Sequence, residues 1–257
     1  MKKFLFLLVI LAGIFDVAGQ VMKPIPPKPK IPFSKSRQAV VVTTADWQTF
    51  RGTARLFARK SAKSAWKPVG DAFAVVVGRN GLAWGDGLNE KPAGDADPAP
   101  KKEGDGKAPA GIFALTETFG AGAKPAFVRL PFTPLEEYTE CVDDAKSIHY
   151  NRIVNRMQVG DFDWQSSEKM LAVGAEYDLG VFVAHNSNPV VKGDGSCIFL
   201  HIWKDSETGT AGCTAMERKN LETIMKWIDP AKNPVLIQMP EPVYGEFQSK
   251  WKLPKLR

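Results

Sequence analysis

From residue 38 to residue 84 the chain repeats one local pattern. QAVVVTT at 38–44, ARLFA at 54–58 and AFAVVVG at 72–78 are short β-branched or aromatic runs bounded by Gly, Ser, Asn and Asp. Side chains branched at Cβ fit a pleated strand better than a helix, and the polar residues between the runs supply turns. Asn80-Gly81 adds a hairpin signal ahead of LAWG. Later runs extend the pattern: GIFALTETFG, FVRLPF, the segment 147–154, VFVAHN at 181–186, SCIFLHIW at 196–203 and PVLIQMP at 234–240. Helices are few by comparison. WQSSEKML at 164–171 predicts a short one, and a clearer one places Leu221, Ile224, Met225 and Ile228 on one face before Asp229-Pro230 stops it. The expected fold class is therefore mainly β with one or two short helices.

The chain ends read differently. MKKFLFLLVILAGIFDVAGQ has two lysines, an apolar run and then small residues, which is the pattern of a secretory signal peptide, 1–19, cut near Gly19. A spanning helix needs ~20 apolar residues, and Asp16 ends this run early. No stable membrane insertion is expected once the signal is removed. KPIPPKPKIPF, with five prolines in eleven positions, makes 20–36 an extended linker. Residues 37–240 form the expected folded domain, with 241–257 a basic C-terminal tail. Cleavage lowers the formal charge from +6 to +5. A basic exported protein meets anionic envelope polymers, although positive charge also serves solubility alone. No stripe of Lys/Arg interleaved with aromatics points to nucleic acid.

The polar stretch 85–107, GDGLNEKPAGDADPAPKKEGDGK, is long enough for a functional flap or a mobile loop. Its acidic residues lack EF-hand spacing and GDGK lacks the upstream glycine of a P-loop, so neither a metal nor a nucleotide cofactor is expected.

The chemistry gathers in HIWKDSETGTAGCTAM, 201–216. In a strand over 196–203, alternation puts Cys197, Phe199, His201 and Trp203 on one face, with His201 at the end where a loop begins. A histidine alone in such a place is more often structural than catalytic. The loop that follows changes its meaning. Cys213 lies ahead of the amphipathic helix, where the helix dipole and a nearby imidazole are expected to lower its pKa. Gly212 permits positive φ and close approach of the backbone to a substrate, which allows the amides of Gly212 and Cys213 to converge as an oxyanion hole. Nucleophile, base and oxyanion donors are the parts of an acyl-transfer site.

His201 followed by Thr210-x-Gly212-Cys213 resembles the signature of the L,D-transpeptidase (YkuD-type) catalytic domain, and Ala108-Pro109-Ala110-Gly111-Ile112-Phe113 resembles that family's Thr-Pro-x-Gly-x-Phe stretch. Ala211 stands where the family usually has histidine, the loop before Thr210 is short, and Thr214 replaces the usual Arg or Asn, which marks a divergent branch. The resemblance implies a mixed β-sandwich with the nucleophile cysteine on the loop before a helix. It also implies the reaction. Cys213 attacks the carbonyl of the third residue of a peptidoglycan stem tetrapeptide and expels the terminal D-alanine, with His201 as general base and then acid. An amine resolves the thioester into a 3→3 or 1→3 cross-link, or water gives a tripeptide. An L,D-carboxypeptidase, an amidase and an inactive peptidoglycan-binding module are the competing readings.

Around this centre, Thr210 and Ala211 are expected to contact substrate. His185, at the tip of VFVAHN, either orients the base, binds the substrate carboxylate or caps its strand. Tyr150 and Arg152 are candidate carboxylate ligands, Arg152 in bidentate fashion, with a plain surface role as the alternative. With Cys213 reserved for chemistry, Cys141 and Cys197 are the disulfide candidates of an exported chain. Cys197 also shares the strand face of His201, so an unpaired thiol beside the site is the other possibility.

Overall fold

A computed structural model describes residues 33–90, 98–160 and 162–256. The expected signal peptide and residues 20–32 of the expected linker lie outside them. In chain order the strands are β1 (Gln38–Thr44), β2 (Arg51–Ala58), β3 (Lys67–Val76), β4 (Leu82–Trp84), β5 (Ala108–Ala121), β6 (Phe132–Leu135), β7 (Thr139–Val142), β8 (Ile153–Asn155), β9 (Ser167–Lys169), β10 (Leu179–Val183), β11 (Phe199–Ile202), β12 (Thr214–Met216) and β13 (Val235–Pro240). Two α-helices, α1 (Arg218–Trp227) and α2 (Glu241–Trp251), and short 3₁₀ turns at Met170–Tyr177 and Pro230–Lys232 complete it. No helix among the described residues is long and apolar enough to cross a membrane.

The main sheet runs β10-β11-β12-β3-β2-β1-β13-β5, and β5 pairs again with β10, so the hydrogen-bonded circuit closes. Closure gives each of those eight strands a neighbour on both sides along at least part of its length, β12 covering only Val75 and Val76 of β3. Pairing is mixed: within the circuit β1–β13 and β11–β12 are parallel and the rest antiparallel, and β4 and β6 add to β5 in parallel. The mainly β, mixed architecture read from the sequence is what forms. β1 lies inside this circuit between β2 and β13, and all seven of its residues are buried, which is why QAVVVTT is apolar almost throughout instead of alternating.

β11 shows how the sequence sorts two cores. Ile198, Leu200 and Ile202 enter the main apolar core with Leu221, Ile224 and Met225 of α1. Phe199 faces the other way, into a second cluster with Phe119, Tyr177, Cys197 and Cys213. Each fully buried aliphatic side chain of this kind contributes about 1.5–3 kcal/mol, so the α1 stripe alone fixes the helix behind β10 and β11. The helix stops where Ile228 turns to extended backbone ahead of Asp229-Pro230.

Three segments differ from the sequence expectation. Within 164–171, Ser167–Lys169 pairs with β7 and helical turns start only at Met170, because the edge of β7 satisfies that backbone first. Residues 241–251, read as tail, form α2, which packs on β13 and β1, with Tyr244 and Trp251 buried and Phe247 stacked on Trp251 at 4.1 Å. Finally, Phe33 is buried, and the Arg59 guanidinium donates to the carbonyls of Phe33, Ser34 and Ser36, so the packed chain starts before residue 37.

A second sheet, β8-β7-β9, stands beside the mouth of the β11–β12 loop. A disulfide joins Cys141 of β7 to Cys197, Cα–Cα 6.0 Å, and ties this sheet to the entrance of β11.

Candidate active site

A cavity of about 410 Å³ opens at the C-terminal end of β11, and both His201 and Cys213 line it. Its walls come from β11, the loop 203–213, the small sheet, the 3₁₀ turns that end at Tyr177, and Lys101, Glu103 and Gly104 of the polar loop. Part of 85–107 therefore belongs to the cavity wall, while 91–97 lie outside the described residues.

The loop is held by backbone pairing. Thr210 N–H donates to Val77 O at 2.9 Å and Arg79 N–H donates to Thr210 O at 2.8 Å, which pins the loop to the end of β3. Thr210 Oγ1 donates to Cys213 O at 2.6 Å and accepts from Gly212 N at 3.1 Å, so its side chain spans the turn that presents the thiol. The Gly212 amide is thus taken up by Thr210 instead of converging with that of Cys213, and Gly212 does not have positive φ. The site is close there: a Cβ would stand 3.2 Å from Lys107 O, a tight contact that glycine relieves. Ala211 is exposed on the cavity wall, and Thr210 lines it too.

Cys213 ends the loop that precedes α1, with β12 between them. Its sulfur is buried, accepts from Phe199 N at 3.3 Å and donates to Cys197 O at 3.4 Å. Burial pushes its pKa well above the usual thiol value, with the Glu168 carboxylate adding to the rise. The Phe199 amide and the Lys101 ammonium pull the other way. The depression expected from the helix dipole is therefore overturned: a buried anion costs more than these nearby dipoles and charges return.

His201 Nδ1 lies 2.8 Å from Ile202 O, and because a carbonyl only accepts, the proton sits on Nδ1 and the Nε2 lone pair is left for chemistry. Burial lowers its pKa to about 4, with the Ile202 carbonyl opposing weakly. The imidazole is thus neutral, and able to accept a proton, across the physiological range. Tyr177 packs edge-on against it at 5.2 Å between ring centres.

The other expected site residues separate from this centre. His185 is buried outside the cavity, where Nδ1 accepts from Asp86 N at 3.1 Å and Nε2 lies 2.9 Å from Asp194 O, so it joins loops. Tyr150 is buried as well: its hydroxyl bonds Glu103 and accepts from Gly195 N. Arg152 is exposed and does not line the cavity. Their neighbour Asn151 has the stronger structural role, donating to the carbonyls of His185 and Asn186 and accepting from Cys197 N at 3.0 Å.

Sequence reasoning missed Lys101, Glu168 and Tyr177. Lys101 is 4% exposed and donates to Asp105 Oδ1 at 2.8 Å, and a Cβ on Gly212 would stand 3.6 Å from its Nζ. Tyr177 donates to Glu168 Oε2 at 2.6 Å and shares a buried cluster with Cys213. Lys101 lay in a loop with no periodicity, and Glu168 and Tyr177 in a stretch whose pattern gave no hint of the cavity.

What the arrangement can do is bring a peptide carbonyl to a buried sulfur beside a neutral imidazole. No characterised protein and no solved structure gave a significant match to the chain. The family model described as the YkuD L,D-transpeptidase catalytic domain does match, over residues 51–237, from β2 into β13. That span covers every wall of the cavity and most of the closed sheet, and the chain belongs to this family.

Proposed function

We propose that the protein is an exported L,D-transpeptidase that acts on peptidoglycan stem tetrapeptides through a thioacyl-enzyme on Cys213. Membership of a family whose members are cysteine L,D-transpeptidases gives the reaction class. The single observation that carries the reading to these residues is that Cys213 and His201 line one cavity, with His201 held as the Nδ1–H tautomer.

In this reading a donor peptide lays its third-residue carbonyl against the sulfur. The thiol proton leaves as the C–S bond forms, and His201 Nε2 is the acceptor in line with the family's chemistry. The C–N bond to the terminal D-alanine then breaks, with the proton returned to the leaving amine. A neighbouring stem's amine attacks the thioester and restores the thiol. The Lys101 ammonium near the Gly212 backbone offers positive charge to the developing oxyanion or to the donor's carboxylate, since the Gly212 amide is committed to Thr210.

The test is incubation of residues 20–257 and of the Cys213→Ala variant with disaccharide tetrapeptide, followed by mass spectrometry of the products. Cross-linked dimer with loss of alanine, absent in the variant, is the expected result. Tripeptide as the sole product replaces transfer with hydrolysis, and unchanged tetrapeptide overturns the reading.

A further inference from the structure

We infer that the basic pocket at the start of β3 is a phosphate-binding site, separate from the catalytic cavity, which takes the phosphate of a lipid headgroup or free phosphate. The inference does not depend on the proposed reaction.

The pocket has a volume of about 510 Å³, and Arg37, Arg59, Lys60, Lys67, Lys232 and Ser64 line it with two alanines. Backbone pairing sets the five cations side by side. Lys67 opens β3 opposite Ala58 of β2, Arg59 N–H donates to Arg37 O at 3.0 Å, and Arg37 N–H donates to Lys232 O at 2.7 Å. These contacts follow the sheet order β3-β2-β1-β13, in which neighbours lie about 4.8 Å apart. Five like charges at such spacing repel one another until an anion comes between them.

Among the described residues no carboxylate lines the pocket to serve as that anion. Among them, too, the ion pair these cations make is a long one, from Lys232 to Asp229 at 3.8 Å, and Asp229 is shared with Arg129 at 3.7 Å. Arg59 is the sharpest case, because it is only 9% exposed. Four of its N–H groups donate to the carbonyls of Phe33, Ser34, Ser36 and Ala62, which fix the guanidinium in the pocket wall without neutralising it. Trp66 covers one face of it, with the ring centre 4.3 Å from the guanidinium carbon. A buried charge without a counter-ion is unfavourable, and a bound anion relieves it.

Phosphate fits this set of donors. Its oxygens accept from several directions at once, and guanidinium, ammonium and the Ser64 hydroxyl converge here from four neighbouring segments. Val76, at the far end of β3 from Lys67, lines the catalytic cavity, so up to roughly 30 Å of strand separates the two sites.

The experiment titrates inorganic phosphate into residues 20–257 and follows the backbone amides of 58–67 by nuclear magnetic resonance, with sodium chloride at equal ionic strength as the control. Saturable shifts caused by phosphate and not by chloride are expected. In the triple variant Lys60→Gln, Lys67→Gln, Lys232→Gln the apparent affinity should fall about tenfold or more. A second triple variant, Lys146→Gln, Lys219→Gln, Lys250→Gln, removes the same charge from exposed positions elsewhere and should keep the wild-type affinity. Co-sedimentation with phosphatidylcholine vesicles carrying phosphatidylglycerol then names the source. Retention that the first variant loses and the second keeps assigns a lipid headgroup, and no retention assigns free phosphate. Shifts that chloride reproduces, or a loss shared by both variants, overturn the inference and leave the charge to solubility. Urea unfolding identifies a variant that fails to fold, in which case the wild-type titration still decides: no saturable shift overturns the inference. Neither readout uses Cys213 or a peptide, so failure here is separate from failure to form cross-links.

Discussion

Glu168→Gln should change how the stability of this protein depends on pH, by an amount the structure sets. Glu168 is raised from 4.5 to about 7 by burial and by Asp143 and Glu103, so the folded state binds its proton more tightly than the unfolded chain does. A carboxyl with a raised pKa is neutral in both states below about pH 4.5, and stability falls as pH rises from there to about 7. His201 has the opposite sign. Its pKa is lowered from 6.5 to about 4, so the unfolded chain binds the extra proton and stability rises with pH through that window. At 1.36 kcal/mol per unit the two slopes oppose each other between about pH 4.5 and 6.5 and cancel over most of it. Glu168→Gln removes one of them. Its stability minus that of the wild type should therefore grow by up to about 3 kcal/mol from pH 4 to pH 8, a ceiling that the opening of the cavity to water lowers. Urea unfolding of both proteins across that range measures the difference, and other titrating groups cancel in the subtraction. Parallel curves, or a difference that shrinks with pH, would refute the reasoning.

Three further outcomes follow from the same packing. His201→Asn should lower kcat/KM on tetrapeptide by about a hundred- to ten-thousand-fold under conditions where urea titration shows the variant folded, read by steady-state kinetics. Leu221→Ala opens a hole where α1 meets the main core and should cost about 2–5 kcal/mol of stability, with the chemistry at Cys213 retained at temperatures where the protein is folded. Reduction of Cys141–Cys197 frees the small sheet from β11 and should cost about 2–4 kcal/mol in unfolding experiments with and without reductant. Because Cys197 O is a partner of the Cys213 sulfur, the same reduction should also change the alkylation rate of Cys213.

Much of the fold was legible because period-2 patterning is a local signal. QAVVVTT is β1 residue for residue, and the α1 stripe at Leu221, Ile224, Met225 and Ile228 points into the core as its spacing required. Alternation in β11 correctly separated Leu200 from Phe199, although Cys197, with φ 55, lies outside the strand. α2 was hidden because its apolar residues, Tyr244, Phe247 and Trp251, are interleaved with charge that reads as a solvated tail. Motif spacing singled out Cys213 and His201, which line one cavity, and the expected effect of the helix on the thiol failed on burial, which no local pattern reports. Tyr177 and Glu168 are brought to the cavity of Cys213 by tertiary packing from a segment 36 and 45 residues upstream of it, a distance over which sequence periodicity says nothing.

The central claim is that Cys213 carries the acyl group. The most direct measurement mixes the mature protein with disaccharide tetrapeptide, quenches in acid and maps the mass of the Cys213 peptide. The account predicts an adduct equal to the donor less its terminal alanine, labile to hydroxylamine and absent in Cys213→Ala. Turnover of the tetrapeptide by the Cys213→Ala variant, or an adduct on any other residue, would contradict it.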